Sequence, residues 1–205
     1  MNIIAIGPLT DCVHQGYTVQ SMMFNGLVTE LANRGYHIKV IDISSQFKQN
    51  SFITRSIDYF CVISKILLAL IFNKYDVAYL TTSQSKRGFI RDFVIIKILH
   101  LFHVKIIAHQ FGANYRQLTN NLSETSMAIL KRMLDNVFVV IVEGDYMKSQ
   151  FSFYEDYEKK LEIIPNGLPV EGKSACTPKT YRGNEPFRMF YLSNMILQKQ
   201  FSYLQ

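Results

Sequence analysis

Cysteine is scarce in this 205-residue chain: Cys12, Cys61 and Cys176 stand far apart and are odd in number. That argues against a disulfide framework and against a Cys-x-x-Cys metal or redox site, and it fits a reducing compartment. No His, Cys, Asp or Glu spacing of metal-ligand type occurs, and there is neither a Walker loop nor a Gly-x-Ser-x-Gly elbow. A nucleic-acid signature is missing as well, so nucleic acid is not an expected partner. Low-complexity tracts and fixed-period repeats are absent. Long apolar runs are absent too. The most apolar region, Ser51 to Phe72, is interrupted by Asp58 and Lys65, and its charge-free stretch from Ile66 to Asn73 is far short of the ~20 residues that a bilayer requires. The amino terminus, Met-Asn-Ile-Ile-Ala-Ile-Gly-Pro, carries no basic leader and reads as a strand rather than a signal peptide.

What remains is the composition of a globular protein, 48% hydrophobic and 19% charged. The net charge of +6 is unevenly spread: Lys39 to Arg132 holds 13 Lys/Arg against 5 Asp/Glu, and Met133 to Pro165 holds 3 against 7. The basic part can draw an anionic partner or surface to one side of the domain.

The chain is organised around Leu161 to Pro169, which reads as a hinge. A short apolar run ends at Pro165, Asn166-Gly167 supplies a turn, and Pro169 sets the exit direction. The expected division is residues 1–169 as one domain, 170–186 as a linker, and 187–205 as the beginning of a second domain whose first strand is Phe187 to Leu192. Within the first domain, strands are expected at Asn2 to Ile6, His37 to Ile43, Asp76 to Thr81, Val104 to Ala108, Val137 to Val142 and in the hinge. Helices are expected over Tyr17 to Arg34, Ser51 to Phe72, Phe89 to Phe102, Ser123 to about Leu134, and Asp145 to about Phe153. Gly35 is placed for a left-handed helix end, and Ser123 and Asp145 for amino-terminal caps. Strands alternating with helices, most of them apolar along their length, predict an α/β Rossmann-like parallel sheet with helices on both faces.

Ligands of such sheets bind outside the carboxyl ends of the strands. Two loops stand out there. Gly7 to Gly16 delivers Gly16 to the start of the first long helix, where amides and the helix dipole favour a phosphate, although Gly-x-Gly-x-x-Gly is missing. Asp42 is a weak echo of a ribose-binding acid. The second loop is expected to open at His109, directly after a buried strand, followed by Gly112 and Asn114. Its imidazole can exchange hydrogen bonds with a sugar hydroxyl, and Gly112 lets a ligand approach the backbone. A structural histidine and a plain turn glycine are the competing readings of these residues.

Ile-Gly-Pro at the first strand, the Gly16 loop, His109-x-x-Gly112, Ile164-Pro-Asn-Gly-Leu-Pro169, and Phe190-Tyr-Leu-Ser-Asn194 with Lys199 together resemble a family 4 glycosyltransferase of GT-B fold. The resemblance implies two Rossmann-like domains across a cleft, the first binding mainly the acceptor and the second a nucleotide sugar. It implies that Gly16, with Tyr17 beside it, places backbone amides near the donor diphosphate or the acceptor. His109 would meet the transferred sugar as the catalytic contact, with Gly112 and Asn114 in the same substrate loop. The nucleotide sugar is then a substrate, and neither a cofactor nor a metal is implied. Relatives of this kind build surface polysaccharides on glycan or lipid-linked acceptors, which suits a cytoplasmic protein peripheral to an anionic membrane surface. The sequence departs from the pattern at its end, where Lys199 is followed by Gln200 and the sequence ends at Gln205. The Glu, seven residues, Glu signature and the basic groups that neutralise the leaving diphosphate are not found, so an amino-terminal half, cut short and inactive alone, is expected. A non-catalytic Rossmann-like binding or regulatory domain is the alternative.

Overall fold

Short, continuously apolar runs rich in β-branched residues become strands, as suits a parallel sheet covered on both faces, and the polar, Gly-marked or Ser/Thr-marked segments between them become helix ends. In the computed structural model the described residues are 1–9, 18–44, 52–112 and 115–167. The chain divides into two compact units, Met1–Pro169 and Val170–Gln205. The second lies outside the described residues, as does the strand expected at Phe187 to Leu192.

Six strands form one parallel sheet in the order β2-β1-β3-β4-β5-β6, with β1 Asn2–Gly7, β2 His37–Asp42, β3 Val77–Thr82, β4 Lys105–Gln110, β5 Val139–Val142 and β6 Leu161–Ile163. The order reverses once, between β1 and β3, which makes their carboxyl ends the switch point of the sheet. Because crossovers between parallel strands are right-handed, the reversal sorts the helices onto two faces. Phe24 of α1 (Val19–Asn33) packs with Ala5, Tyr79 and Ile141 on one face. On the other, α2 (Phe52–Phe72), α3 (Lys86–Leu101) and α5 (Glu124–Asp135) bury Ile66, Ile96 and Leu130 against Ile4, Leu80 and Ile106. The doubly covered α/β sheet expected from the pattern is the fold.

Local signals explain most boundaries. Thr18 and Ser21 form a reciprocal capping box at α1, and Gly35, at φ +82°, supplies the left-handed end. Ser123 accepts from the Ser126 amide at α5, as expected. Ser85 does the same for Gly88, so α3 begins three residues before Phe89. The short helix α4 (Tyr115–Asn120) was not legible as a periodic run, since six residues hold too few turns to show a stripe.

Two expectations are corrected. Asp145 caps nothing: the following 3-10 helix, Asp145–Phe151, is preceded by Gly144, and the Asp145 carboxylate pairs with Lys148 at 3.0 Å instead. His109 does not open a loop; it lies inside β4, paired in register with Thr81 of β3 and Ile141 of β5. An apolar scan ends that strand at Ala108 because it cannot foresee that the polar side chains of His109 and Gln110 find partners sideways, on β3.

At the far edge, Lys160, the last residue of α6 (Tyr157–Lys160), donates to the carbonyls of Leu134, Asp135 and Val137 at 2.6, 3.2 and 3.0 Å. These carbonyls lie at and just past the end of α5, and a cation is favoured there by the helix dipole. Lys160→Met keeps the stem and removes the charge, and is expected to lower the unfolding free energy by about 1–2 kcal/mol in urea titrations at pH 7. Asp145→Ala, which breaks only an exposed pair, should change it by less than about 0.5 kcal/mol.

Candidate functional site

The carboxyl ends of β1, β3 and β4 meet at a cavity of about 280 Å³ lined by Pro8, Gln20, Thr82, Gln84, Arg91 and Phe111, with Ile43 and Ser83 completing it. A larger one, about 510 Å³, lies at the opposite end of the sheet around Leu70 to Asp76, Phe102 and Val104. The smaller cavity sits where an open parallel sheet offers its ligand crevice, and polar groups converge on it.

Its walls are held by buried charge. Asp92 is almost completely buried in α3; its Oδ2 accepts from the Ser83 amide at 2.7 Å and its Oδ1 from Arg91 Nε and Nη2 at 2.8 and 2.6 Å. Burial pushes the Asp92 carboxyl up from its ordinary value, against the opposing pull of Arg91 and the Ser83 amide. The pair therefore ties the turn after β3 to α3 and leaves Arg91 on the cavity wall. Gly88 belongs to the same construction, because a Cβ there would lie 2.0 Å from Ser83 Oγ.

His109 lies just below this crevice on the α1 face of the sheet. Its Nδ1 is 2.5 Å from Tyr79 Oη, its ring stacks on Phe111 with centroids 3.9 Å apart, and it is 95% buried by its 5% relative exposure. Burial pushes the imidazole down to about 4 and the Tyr79 phenol up. Near neutral pH both are uncharged. The phenol is then the natural donor to Nδ1, which leaves the ring proton on Nε2. Nε2 is buried and has no hydrogen-bond partner among the described residues. A buried, unsatisfied N–H is costly, and an oxygen of a ligand would relieve it.

The loop after β4 is braced rather than open. Gly112 has φ +76°, which favours glycine; its amide donates to Glu143 Oε2 at 3.2 Å and its carbonyl accepts from Gln84 Nε2 at 2.6 Å. Gln84 Nε2 also donates to the Phe111 carbonyl, and Asn166 Nδ2 donates to Glu143 Oε1. Glu143, at the end of β5, thus fastens both the β4 loop and the hinge segment. Asp42 serves its own neighbourhood, its Oδ1 accepting from the amides of Leu9 and Ser44 at 3.0 and 2.8 Å.

His109 and Gly112 therefore stand three residues apart on either side of Phe111, which lines the crevice, whereas Gly16, Tyr17 and Asn114 lie outside the described residues. Sequence reading missed Tyr79, Gln84, Arg91, Asp92 and Glu143. A lone tyrosine inside the apolar Val77–Thr82 run and a glutamate directly after Val142 were available as signals. Arg91 and Asp92 were not, since adjacent charges on a helix ordinarily face solvent.

No family model and no curated protein matches the sequence. Among solved structures the chain is similar to HepE of Anabaena, crystallised in complex with UDP and glucose, at 12% identity and a TM-score of 0.45 over 82% of this chain and 45% of that one. It is also similar to a putative phosphomethylpyrimidine kinase from Bacteroides thetaiotaomicron, crystallised with pyridoxal, at 13% identity and a TM-score of 0.44 over 78% of this chain and 59% of that one. The chain spans less than two thirds of each.

The His109 environment has a signature in acid. The folded value of about 4 lies below the ordinary 6.5, so the unfolded chain binds the proton first. Stability is lost as pH falls through 6.5 and the loss levels off near 4, with a total on the order of 3 kcal/mol. His109→Gln, which keeps a polar group for Tyr79 but does not titrate, is expected to flatten that part of the stability profile in urea titrations between pH 7 and 4. An unchanged slope would mean that His109 is not held neutral.

Proposed function

We propose that Met1–Pro169 is the acceptor-side lobe of a glycosyltransferase of GT-B fold, acting with a second, nucleotide-sugar-binding lobe to transfer a sugar to a glycan or lipid-linked acceptor in surface polysaccharide synthesis. The observation that carries this reading is the neutral, buried imidazole of His109, with one nitrogen held by Tyr79 and the other unsatisfied, beneath the switch-point crevice. The motif order from Ile6-Gly7-Pro8 to Lys199 supports it, as does the α/β sheet.

In the reaction, an acceptor hydroxyl oxygen bonds to the anomeric carbon while the bond from that carbon to the donor phosphate breaks. The electron pair leaves with the nucleoside diphosphate, and the hydroxyl proton passes to a base or to the departing phosphate. An imidazole with a value near 4 is a weak base at neutral pH. His109 therefore acts as a fixed hydrogen-bond donor, its Nε2–H meeting a hydroxyl of the transferred sugar and setting its orientation. The resemblance gives Gly16, Tyr17 and Asn114 contacts with the substrate as well, and Gly112 holds its loop in the left-handed turn. Arg91 faces the acceptor from the crevice wall. No cofactor or metal is assigned, and a lipid-linked acceptor places the chemistry at the cytoplasmic face of a membrane.

The test is titration of the 205-residue chain with nucleotide sugars, UDP-glucose among them, and with oligosaccharide acceptors, read by nitrogen-15 shifts of the His109 ring. Movement of Nε2 more than Nδ1 on adding a sugar ligand, with affinity lowered about tenfold or more in His109→Gln, is expected for loss of a buried hydrogen bond at the site. Sugar binding that leaves both ring nitrogens unmoved would overturn the assignment of His109. Tight binding of a nicotinamide dinucleotide instead would overturn the whole reading.

A further inference from the structure

Glu143 has no part in the reaction proposed above, yet it joins two segments that bear on it. The residue follows β5 directly and is half-buried at the carboxyl end of the sheet. Its Oε2 accepts from the Gly112 amide at 3.2 Å, and its Oε1 accepts from Asn166 Nδ2. One carboxylate therefore holds both the turn after β4 and the exposed stretch by which the chain leaves the sheet after β6.

Both contacts stand where the strand ladder has run out. The pairing of β5 with β6 ends at Val142 and Ile163, and the Ile164 amide adds a bond to the Val142 carbonyl at 2.9 Å. Pro165 has no N–H to continue it. Beyond that point it is the side chain of Asn166 that reaches back to the sheet. On the other side, β4 pairs with β5 only as far as Gln110, and Gly112 takes φ +76° with its carbonyl held by Gln84 Nε2 at 2.6 Å. Phe111, between them, stacks its ring on His109 and lines the crevice.

The two oxygens of a carboxylate are fixed relative to each other. If Asn166 moves and keeps its bond, the carboxylate turns and the acceptor of the Gly112 amide moves with it. If the bond breaks, the Glu143 side chain is released and that amide loses its fixed partner. A glycine backbone can follow such a change more readily than any other, and Phe111 is bonded to it.

We propose that Glu143 is a positioning residue that passes the posture of the exit segment at Asn166 to the turn seating Phe111 on His109, so that the shape of the crevice follows the way the chain leaves the domain. Its importance for substrate rests on the reading of the crevice as a sugar site, but the link is present in the free chain and is measured there without sugar.

Amide exchange, followed by nuclear magnetic resonance on the free 205-residue chain, tests it. Glu143→Ala removes the acceptor of the Gly112 amide and is expected to speed its exchange about tenfold or more, as for loss of a hydrogen bond to a charged group. Asn166→Ala leaves Glu143 in place and is expected to speed the same amide about fivefold and to move the nitrogen-15 shifts of the His109 ring. The amides of Ile107 and Val140, inside the sheet, should change less than Gly112 in both variants, which marks the opening as local. Asp145→Ala, two residues from Glu143 and outside the link, should leave Gly112 as it was. Faster exchange in Glu143→Ala but not in Asn166→Ala would make the carboxylate a brace of the β4 turn alone and overturn the coupling. An unmoved His109 ring in Asn166→Ala, or a change shared equally by Ile107 and Val140, would overturn it too. Sugar binding that bypasses His109 would leave all these rates as expected, so the coupling and the sugar reading fail separately.

Discussion

The ladder that clamps β4 between β3 and β5 is the constraint on which the arrangement of this molecule depends. It carries His109 opposite Thr81 and Ile141, in a strand that runs two residues past the end of the apolar run at Ala108. Once there, the imidazole is shut between Tyr79 and Phe111 and cannot hold a charge near neutral pH. A shift of one residue in this ladder would turn the ring to the opposite face, among Leu80, Ile106 and Ala108, where no phenol waits.

Around that ring, most buried polar groups are accounted for by specific partners. Thr82 Oγ1 lies 2.7 Å from Gln110 Oε1, Asp92 receives Arg91 and the Ser83 amide, and Gln150 Oε1 accepts from the Tyr115 amide at 2.8 Å. Two buried side-chain nitrogens are left without a partner among the described residues, Gln150 Nε2 and His109 Nε2, and burial without a partner is kept in native proteins mainly where something else is served. The same bracing explains Gly112 and Glu143. Their hydrogen bonds spend the backbone polarity of the β4 loop inside the protein, so the loop positions its neighbours rather than presenting its own amide.

The two sides of the α2, α3 and α5 layer show how one task leaves room for another. Facing inward, all three helices answer the same requirement, apolar contact with a parallel sheet. Facing outward there is no such requirement, and α5 takes the usual polar surface while α2 and α3 keep large apolar groups beside lysines and arginine. Folding does not account for that difference, since water tolerates either choice only at a cost that the apolar one raises.

Sequence alone determined the alternation of strand and helix, the parallel sheet and several helix ends, because periodicity, Thr18, Ser123 and Gly35 act through neighbours only a few residues away. It also marked His109 and Gly112 as residues of interest near a strand's carboxyl end. Tertiary structure decided what those residues are. Tyr79 and His109 are thirty positions apart, Gly112 and Glu143 thirty-one, and Ser83 and Asp92 nine, and each pair meets only because the strands and helices have been laid side by side. Local pattern reports which face of an element is apolar. Which particular group stands across from it, and therefore its charge, its partner and its chemistry, is set by the register between elements, and that is an outcome of packing the whole sheet.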